Sequence, residues 1–181
     1  MSLCLSGVPD TTSPPAAFSR KCLLYVTIPS ARPRQARAGE NESCLLTQFT
    51  DLGLAEPLLR AIEGEGYTTP TPIQAQVIPK VLEQRDIIGI AQTGTGKTAA
   101  FALPALHNIE PNAPAVPSVL VLVPTRELAV QVSEAMFRYG SDQNIKVAPV
   151  YGGQPIPRQL QQLKRGVHVV VATPGRAIDH I

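Results

Sequence analysis

The alternation of apolar and polar positions along the chain becomes regular from about Phe49. Leu and Ile recur at helical spacing in LAEPLLRAIEGEGY (54–67), a run that Gly64 and Gly66 stop. IQAQVIPKVLEQR (73–85) predicts a second helix, bent or restarted at Pro79, whose missing N–H interrupts the helical ladder. Four runs are apolar throughout and have strand length: DIIGIA (86–91), SVLVLV (118–123), KVAPVY (146–151) and VHVVVA (167–172). Helical periodicity fills the gaps, in KTAAFALPALHNI (97–109), RELAVQVSEAMFRYG (126–140) and PRQLQQLKRG (157–166), with a short last helix through AIDHI. Strands without polar alternation are buried on both faces, and strands separated by helices run parallel. The pattern predicts a doubly wound α/β domain over 46–181, its ligands gathered at the carboxyl ends of the strands.

Residues 1–45 break this pattern. They are rich in Pro, Ser, Ala and Arg, with one apolar patch at 22–28, and are read as a disordered or low-information tail. A targeting peptide or a start assigned too far upstream would look the same. Cys4, Cys22 and Cys44 all lie here, odd in number and without zinc spacing, so unpaired thiols are expected. The tail carries five basic and three acidic residues, whereas the region from 46 onward has eleven of each. Nucleic acid would therefore be held by local placement of charge and not by a basic field. No apolar run approaches the ~20 residues that span a bilayer. The expectation is a cytoplasmic protein with no membrane partner.

Each predicted strand ends in a polar or glycine-rich turn, and these turns carry the chemistry. In the first, DIIGIA runs through Ala91, Gln92, Thr93, Gly94, Thr95 and Gly96 into the helix that Lys97 and Thr98 begin. Glycines let successive N–H groups converge on one anion, and the helix start adds its positive end. Lys97 can reach the β- and γ-phosphates of a nucleotide, and the Thr98 hydroxyl can coordinate Mg²⁺. Ala91 stands where the usual phosphate-loop pattern has glycine, a change that a small residue tolerates. The second turn is PTREL, in which Pro124 ends a strand, Thr125 can cap the helix and Arg126 can meet a phosphate or simply be solvated. The third is the Gly152–Gly153 pair, weak evidence by itself. The fourth is TPGR, with Thr173, Gly175 and Arg176 after a buried strand. Three phosphate-friendly turns on one sheet edge suit a sugar–phosphate backbone crossing it. His107, His168 and His180 have no metal-ligand company in the sequence and are read as structural.

Together these residues resemble the DEAD-box ATP-dependent RNA helicases over about 47–181. AQTGTGKT matches that family's Walker A motif, PTREL its motif Ia, the glycine pair its GG motif and TPGR its motif Ib. GYTTPTPIQ (66–74) is similar to its Q motif, with Tyr67 where Phe is commoner, and Phe49 occupies the place of its isolated upstream aromatic. The resemblance implies a RecA-like P-loop NTPase domain, its parallel sheet covered by helices on both faces and incomplete at the C-terminal end. It implies ATP and Mg²⁺ as cofactors, Gln74 on the adenine edge, Phe49 stacked on the base with Thr69 beside it, and Lys97 and Thr98 as the catalytic residues present. It also implies that Pro124, Thr125, Arg126, Gly152, Gly153, Thr173, Gly175 and Arg176 hold RNA. Read without the family, Phe49 is equally a core residue capping the first helix, and Gln74 a helix-surface amide.

Neither D-E-A-D nor S-A-T occurs in the chain. The expectation is therefore the beginning of a longer helicase that couples ATP hydrolysis to local RNA unwinding. Alone, the segment should bind nucleotide weakly, turn it over negligibly and leave strand edges unpaired. The alternatives are a truncated, non-catalytic nucleotide- or RNA-binding module and a helicase acting on DNA.

Overall fold

A computed structural model describes residues 48–110, 112 and 114–180. The expected tail, residues 1–45, and its three cysteines lie outside them.

The described chain opens with a 3-10 turn, Phe49–Leu52, and continues through helices α1 (Glu56–Gly64), α2 (Pro72–Leu82) and α3 (Lys97–His107). Strand β1 (Val119–Leu122) and helix α4 (Arg126–Tyr139) follow, then a second 3-10 turn at Ser141–Gln143. The rest is β2 (Val147–Val150), α5 (Ile156–Lys164), β3 (Val169–Ala172) and α6 (Pro174–Ile178). Helix α2 runs through Pro79 without restarting, and α3 likewise contains Pro104.

The sheet is three-stranded and parallel, in the order β1-β3-β2. Val119, Val169 and Val147 form one row across it, and Leu122, Ala172 and Val150 another. Because side chains alternate along a strand, the two rows face opposite ways. The first face carries Val119, Val121, Val147, Val169 and Val171 into the main core, with Leu103 and Leu106 of α3 and Ala129, Val132 and Met136 of α4. Helix α5 packs on β2, whose Ala148 and Val150 are buried. The cover stops at β1, where Leu120 and Leu122 stay exposed. Among the described residues the architecture is a parallel α/β sheet with helices packed on both faces, the doubly wound class that the apolar strands predict.

One expected strand does not form. DIIGIA is extended, but only Ile88 makes a bridge, and the segment is not part of the three-stranded sheet. Ile87 packs with Val77, Val81 and Ala100, whereas Ile88 and Ile90 are 78% and 69% exposed. A strand exists through its ladder partners, and the described residues supply no neighbour along the length of this segment. Its apolar composition reports the burial it would take beside such neighbours and cannot create the pairing.

Candidate nucleotide loop and nucleic-acid cleft

Gly94 and Gly96 both sit at φ +81, in the left-handed region that costs glycine little. The chain thereby turns tightly from the extended segment into α3, an 11-residue helix whose first two residues are Lys97 and Thr98. The Lys97 ammonium donates to the carbonyls of Ala91 and Gln92, spanning the loop it closes. The Thr95 hydroxyl donates to Gln92 O at 2.8 Å.

Sheet hydrogen bonds do not hold this loop; α2 does. The Thr71 hydroxyl donates to Thr95 O at 2.9 Å, and Gln74 Nε2 donates to Gly96 O at 3.2 Å. Gln74 Oε1 in turn accepts from the Thr71 N–H at 2.8 Å, closing the N-terminal box of α2. A Cβ on Gly96 would fall on the Gln74 amide. Gln74 is therefore not a helix-surface amide: it is fully buried, and both ends of its side chain serve the fold. Thr71 was not singled out from the sequence, although T-P-I-Q has the spacing of a capping box.

Phe49 is buried in the core, edge-on to Tyr67 at a centroid distance of 6.1 Å. Tyr67 repeats that geometry with Tyr139 at the end of α4, and their hydroxyls are 2.9 Å apart. The phenol in place of phenylalanine at 67 thus has a partner. Burial first, then the bond from Tyr67, pushes the Tyr139 hydroxyl well above the usual phenol range. Thr69 is exposed at the surface.

The three other turns meet. Pro124, Thr125 and Arg126 from the end of β1, Gly152 from the end of β2, and Thr173, Gly175 and Arg176 from the end of β3 line one cavity of about 600 Å³. Glu127 and Asp179 complete its wall. Thr125 caps α4, its hydroxyl accepting from the Leu128 N–H at 3.3 Å. Thr173 occupies the equivalent place before α6 but makes no side-chain cap bond. Gly153 does not line the cavity; at φ +92 it lies beneath the Arg126 guanidinium, where a Cβ would approach Nη1 to 2.5 Å.

The two arginines differ. Arg126 is exposed and rests on the glycine pair. The Arg176 side chain is 12% exposed and anchored, its Nε 3.2 Å from Asp179 Oδ2 and its Nη1 donating to Gln154 O at 2.8 Å. The histidines serve the fold: His107 Nδ1 accepts from the Ala55 N–H ahead of α1, and His168 Nδ1 from the Lys146 N–H. No group of three His, Cys, Asp or Glu side chains suited to a metal occurs among the described residues. No described helix is long and apolar enough to cross a membrane.

The family model for DEAD/DEAH box helicases matches residues 71–181. Over 136 residues the chain is 51% identical to the DEAD-box ATP-dependent RNA helicase CshA of Geobacillus kaustophilus, covering 75% of this chain and 29% of that protein. It is 53% identical over 136 residues to the ATP-dependent RNA helicase DeaD of Klebsiella pneumoniae, covering 75% of this chain and 21% of the relative. The chain thus spans between a fifth and a third of these relatives' length. A crystal structure of a DEAD box protein from Methanococcus jannaschii superposes with a TM-score of 0.69 at 40% identity, over 74% of this chain and 36% of that one. A hypothetical ATP-dependent RNA helicase from Sulfolobus tokodaii gives a TM-score of 0.63 at 38% identity, over 70% of this chain and 36% of that one. With its phosphate loop, its cleft of three turns and this likeness over most of its length, the chain belongs to the DEAD/DEAH box helicase family.

Proposed function

We propose that this chain supplies the ATP-binding and part of the RNA-binding surface of an ATP-dependent RNA helicase. The observation that carries the reading is the meeting of Arg126, Gly152 and Arg176 in one cavity at the carboxyl ends of three parallel strands. Guanidinium groups and a helix N-terminus with open backbone approach fit sugar–phosphate oxygens and read no base edge. RNA is favoured over DNA because the relatives are named RNA helicases.

The loop fits a triphosphate. Gly94 has open space around it, Lys97 supplies a positive charge, and Thr98 lies in the first turn of α3. Mg²⁺ would be held by the Thr98 hydroxyl and the phosphates, since that ion keeps several ligands from water and substrate. When bound, it would neutralise charge developing on the transferred phosphoryl group. Lys97 holds the β- and γ-phosphates, while Thr71 and Gln74 keep the loop carbonyls turned towards α2. Contact of Gln74, Phe49 and Thr69 with adenine belongs to the same proposal. It requires a local opening, because Gln74 and Phe49 are buried. Coupling of hydrolysis to local RNA unwinding is proposed for the full-length helicase.

The test is paired binding on the full chain, with a fluorescent ATP analogue in Mg²⁺ and a labelled single-stranded RNA. Lys97→Ala should abolish nucleotide binding and leave RNA binding intact, and Arg126→Ala should do the reverse. If two arginines carry the RNA, log K should fall with log salt at a slope of about −1.4, from roughly −0.7 per neutralised phosphate on a single strand. A salt-independent RNA affinity, or equal affinity for DNA of the same sequence, would overturn the RNA-backbone reading.

A further inference from the structure

Gln159 is a buried polar residue that neither the phosphate loop nor the cavity wall accounts for. It lies on α5, an amphipathic helix otherwise rich in exposed glutamine, arginine and lysine, yet it is only 2% exposed. Its amide is engaged at both ends. Nε2 donates to Tyr151 O at 2.9 Å, and Oε1 accepts from Arg176 Nη1 at 3.2 Å. His180 Nε2 lies 3.0 Å from the same oxygen. Chemistry fixes the amide's orientation: a guanidinium only donates and so must face the oxygen, and a carbonyl only accepts and so must face the nitrogen.

The residues at the two ends of this amide matter. Tyr151 immediately precedes the Gly152–Gly153 turn, and Arg176 belongs to TPGR, so one side chain ties two of the three turns together. Gln154 repeats the tie on the outside, its carbonyl accepting from Arg176 Nη1 and its amide donating to Tyr151 Oη at 2.7 Å. With Nη1 bound to Gln154 and Gln159, and Nε beside Asp179, the guanidinium is held at three points. Among the described residues Nη2 has no such partner, which leaves that edge of the fork for a ligand in the cavity.

We infer that Gln159 is a positioning residue for RNA: it fixes the Arg176 guanidinium and the β2 turn in one geometry, so that the cleft meets the RNA backbone pre-ordered. The inference rests on the cavity being the RNA site. An arginine held in place loses little rotamer freedom when it binds a phosphate, whereas a free one must be ordered by the ligand.

The test is RNA binding by fluorescence anisotropy on the full chain, using a labelled oligouridine. Gln159→Leu removes both bonds at similar volume and should weaken RNA binding about tenfold, the scale of one hydrogen bond to a charged group. The salt slope should fall in magnitude by about 0.7, as for one lost phosphate contact on a single strand. Affinity for the ATP analogue should stay within about twofold. In an Arg176→Ala background Gln159→Leu should cost no more than about twofold, its hold on the β2 turn through Tyr151 O being all that remains. If leucine prevents folding, Gln159→Met keeps the length of the side chain without either bond and should also lose about tenfold. The inference fails if these variants bind RNA like the parent while Arg126→Ala and Arg176→Ala do not. It also fails if the full cost persists without Arg176, which would make Gln159 a packing residue only. Should both arginine variants bind RNA like the parent, the cleft is not the RNA site, and the reading of the cavity fails along with the inference.

Discussion

The phosphate loop and the cleft are both glycine-rich turns after apolar segments, yet they are held by different means. Each turn of the cleft grows from a strand with ladder partners, and the β3 turn is further tied by Arg176 to Gln154, Gln159 and Asp179. The loop follows an extended segment with one bridge and two exposed isoleucines, and it hangs from α2 through Thr71 and Gln74. In the cleft, geometry comes from the sheet; in the loop, it comes from two side chains more than twenty residues away in sequence. The nucleotide site should therefore be the more fragile of the two, and each should be breakable without the other.

The largest effect is expected at Gly96. A substitution there meets both a left-handed φ and the Gln74 amide, so Gly96→Val combines backbone strain with a displaced buried amide. Together these cost about 3 kcal/mol, about a hundredfold in ATP affinity, while RNA binding should change little. Titration of a fluorescent ATP analogue checks the first and RNA anisotropy the second.

Gln74→Leu comes next. It deprives Gly96 O and the Thr71 N–H, both half-buried, of their partners. Urea unfolding should show a loss of about 2 kcal/mol, with weaker ATP binding and an unaltered cleft. A neutral result would mean that the loop stands without α2 and would erase the contrast.

Gly153→Ala breaks the other side. Its φ of +92 and the overlying Arg126 make the added methyl push the guanidinium away. RNA affinity should fall about fivefold, on the scale of about 1 kcal/mol for a displaced contact, with ATP binding unchanged.

The smallest effect concerns the tyrosine pair that joins the Q-motif segment to α4. Tyr139 has its hydroxyl pKa raised by burial and by Tyr67, so the folded state keeps a proton that the unfolded chain releases. Its contribution to stability is fully present below the unfolded value of about 10 and is lost as pH rises beyond that. Thermal melts from pH 8 to 11 should show a fall in Tm above pH 10 that Tyr139→Phe makes shallower.

Much of this was legible in the sequence. The helices were readable because their apolar stripes and glycine stops depend on local periodicity, and β1, β2 and β3 because they are apolar on both faces. The segment 86–91 carries the same signal and fails as a strand, because periodicity records burial whereas pairing depends on neighbours. The cleft was legible from Thr125, Arg126, the glycine pair and TPGR at consecutive strand ends. Its support was not: Gln159 reads as one more polar residue of an amphipathic helix, and only the bonds to Tyr151 and Arg176 distinguish it. Thr71 and Gln74 could have been recognised as a helix-capping pair, but nothing in the sequence says that a capping pair also grips a loop at Thr95 and Gly96. The Tyr67 hydroxyl acquires meaning only from Tyr139, brought beside it from another element.

The most direct test of two separately supported sites is amide hydrogen exchange on the full chain, with Mg²⁺ and ATP, with single-stranded RNA, and with neither. ATP should slow exchange at 91–98 and in the first turn of α2. RNA should slow exchange at 124–128, 151–154 and 173–176. Protection of 91–98 by RNA in place of the cleft, or an ATP footprint that leaves 91–98 unprotected, would rule out two separately supported sites.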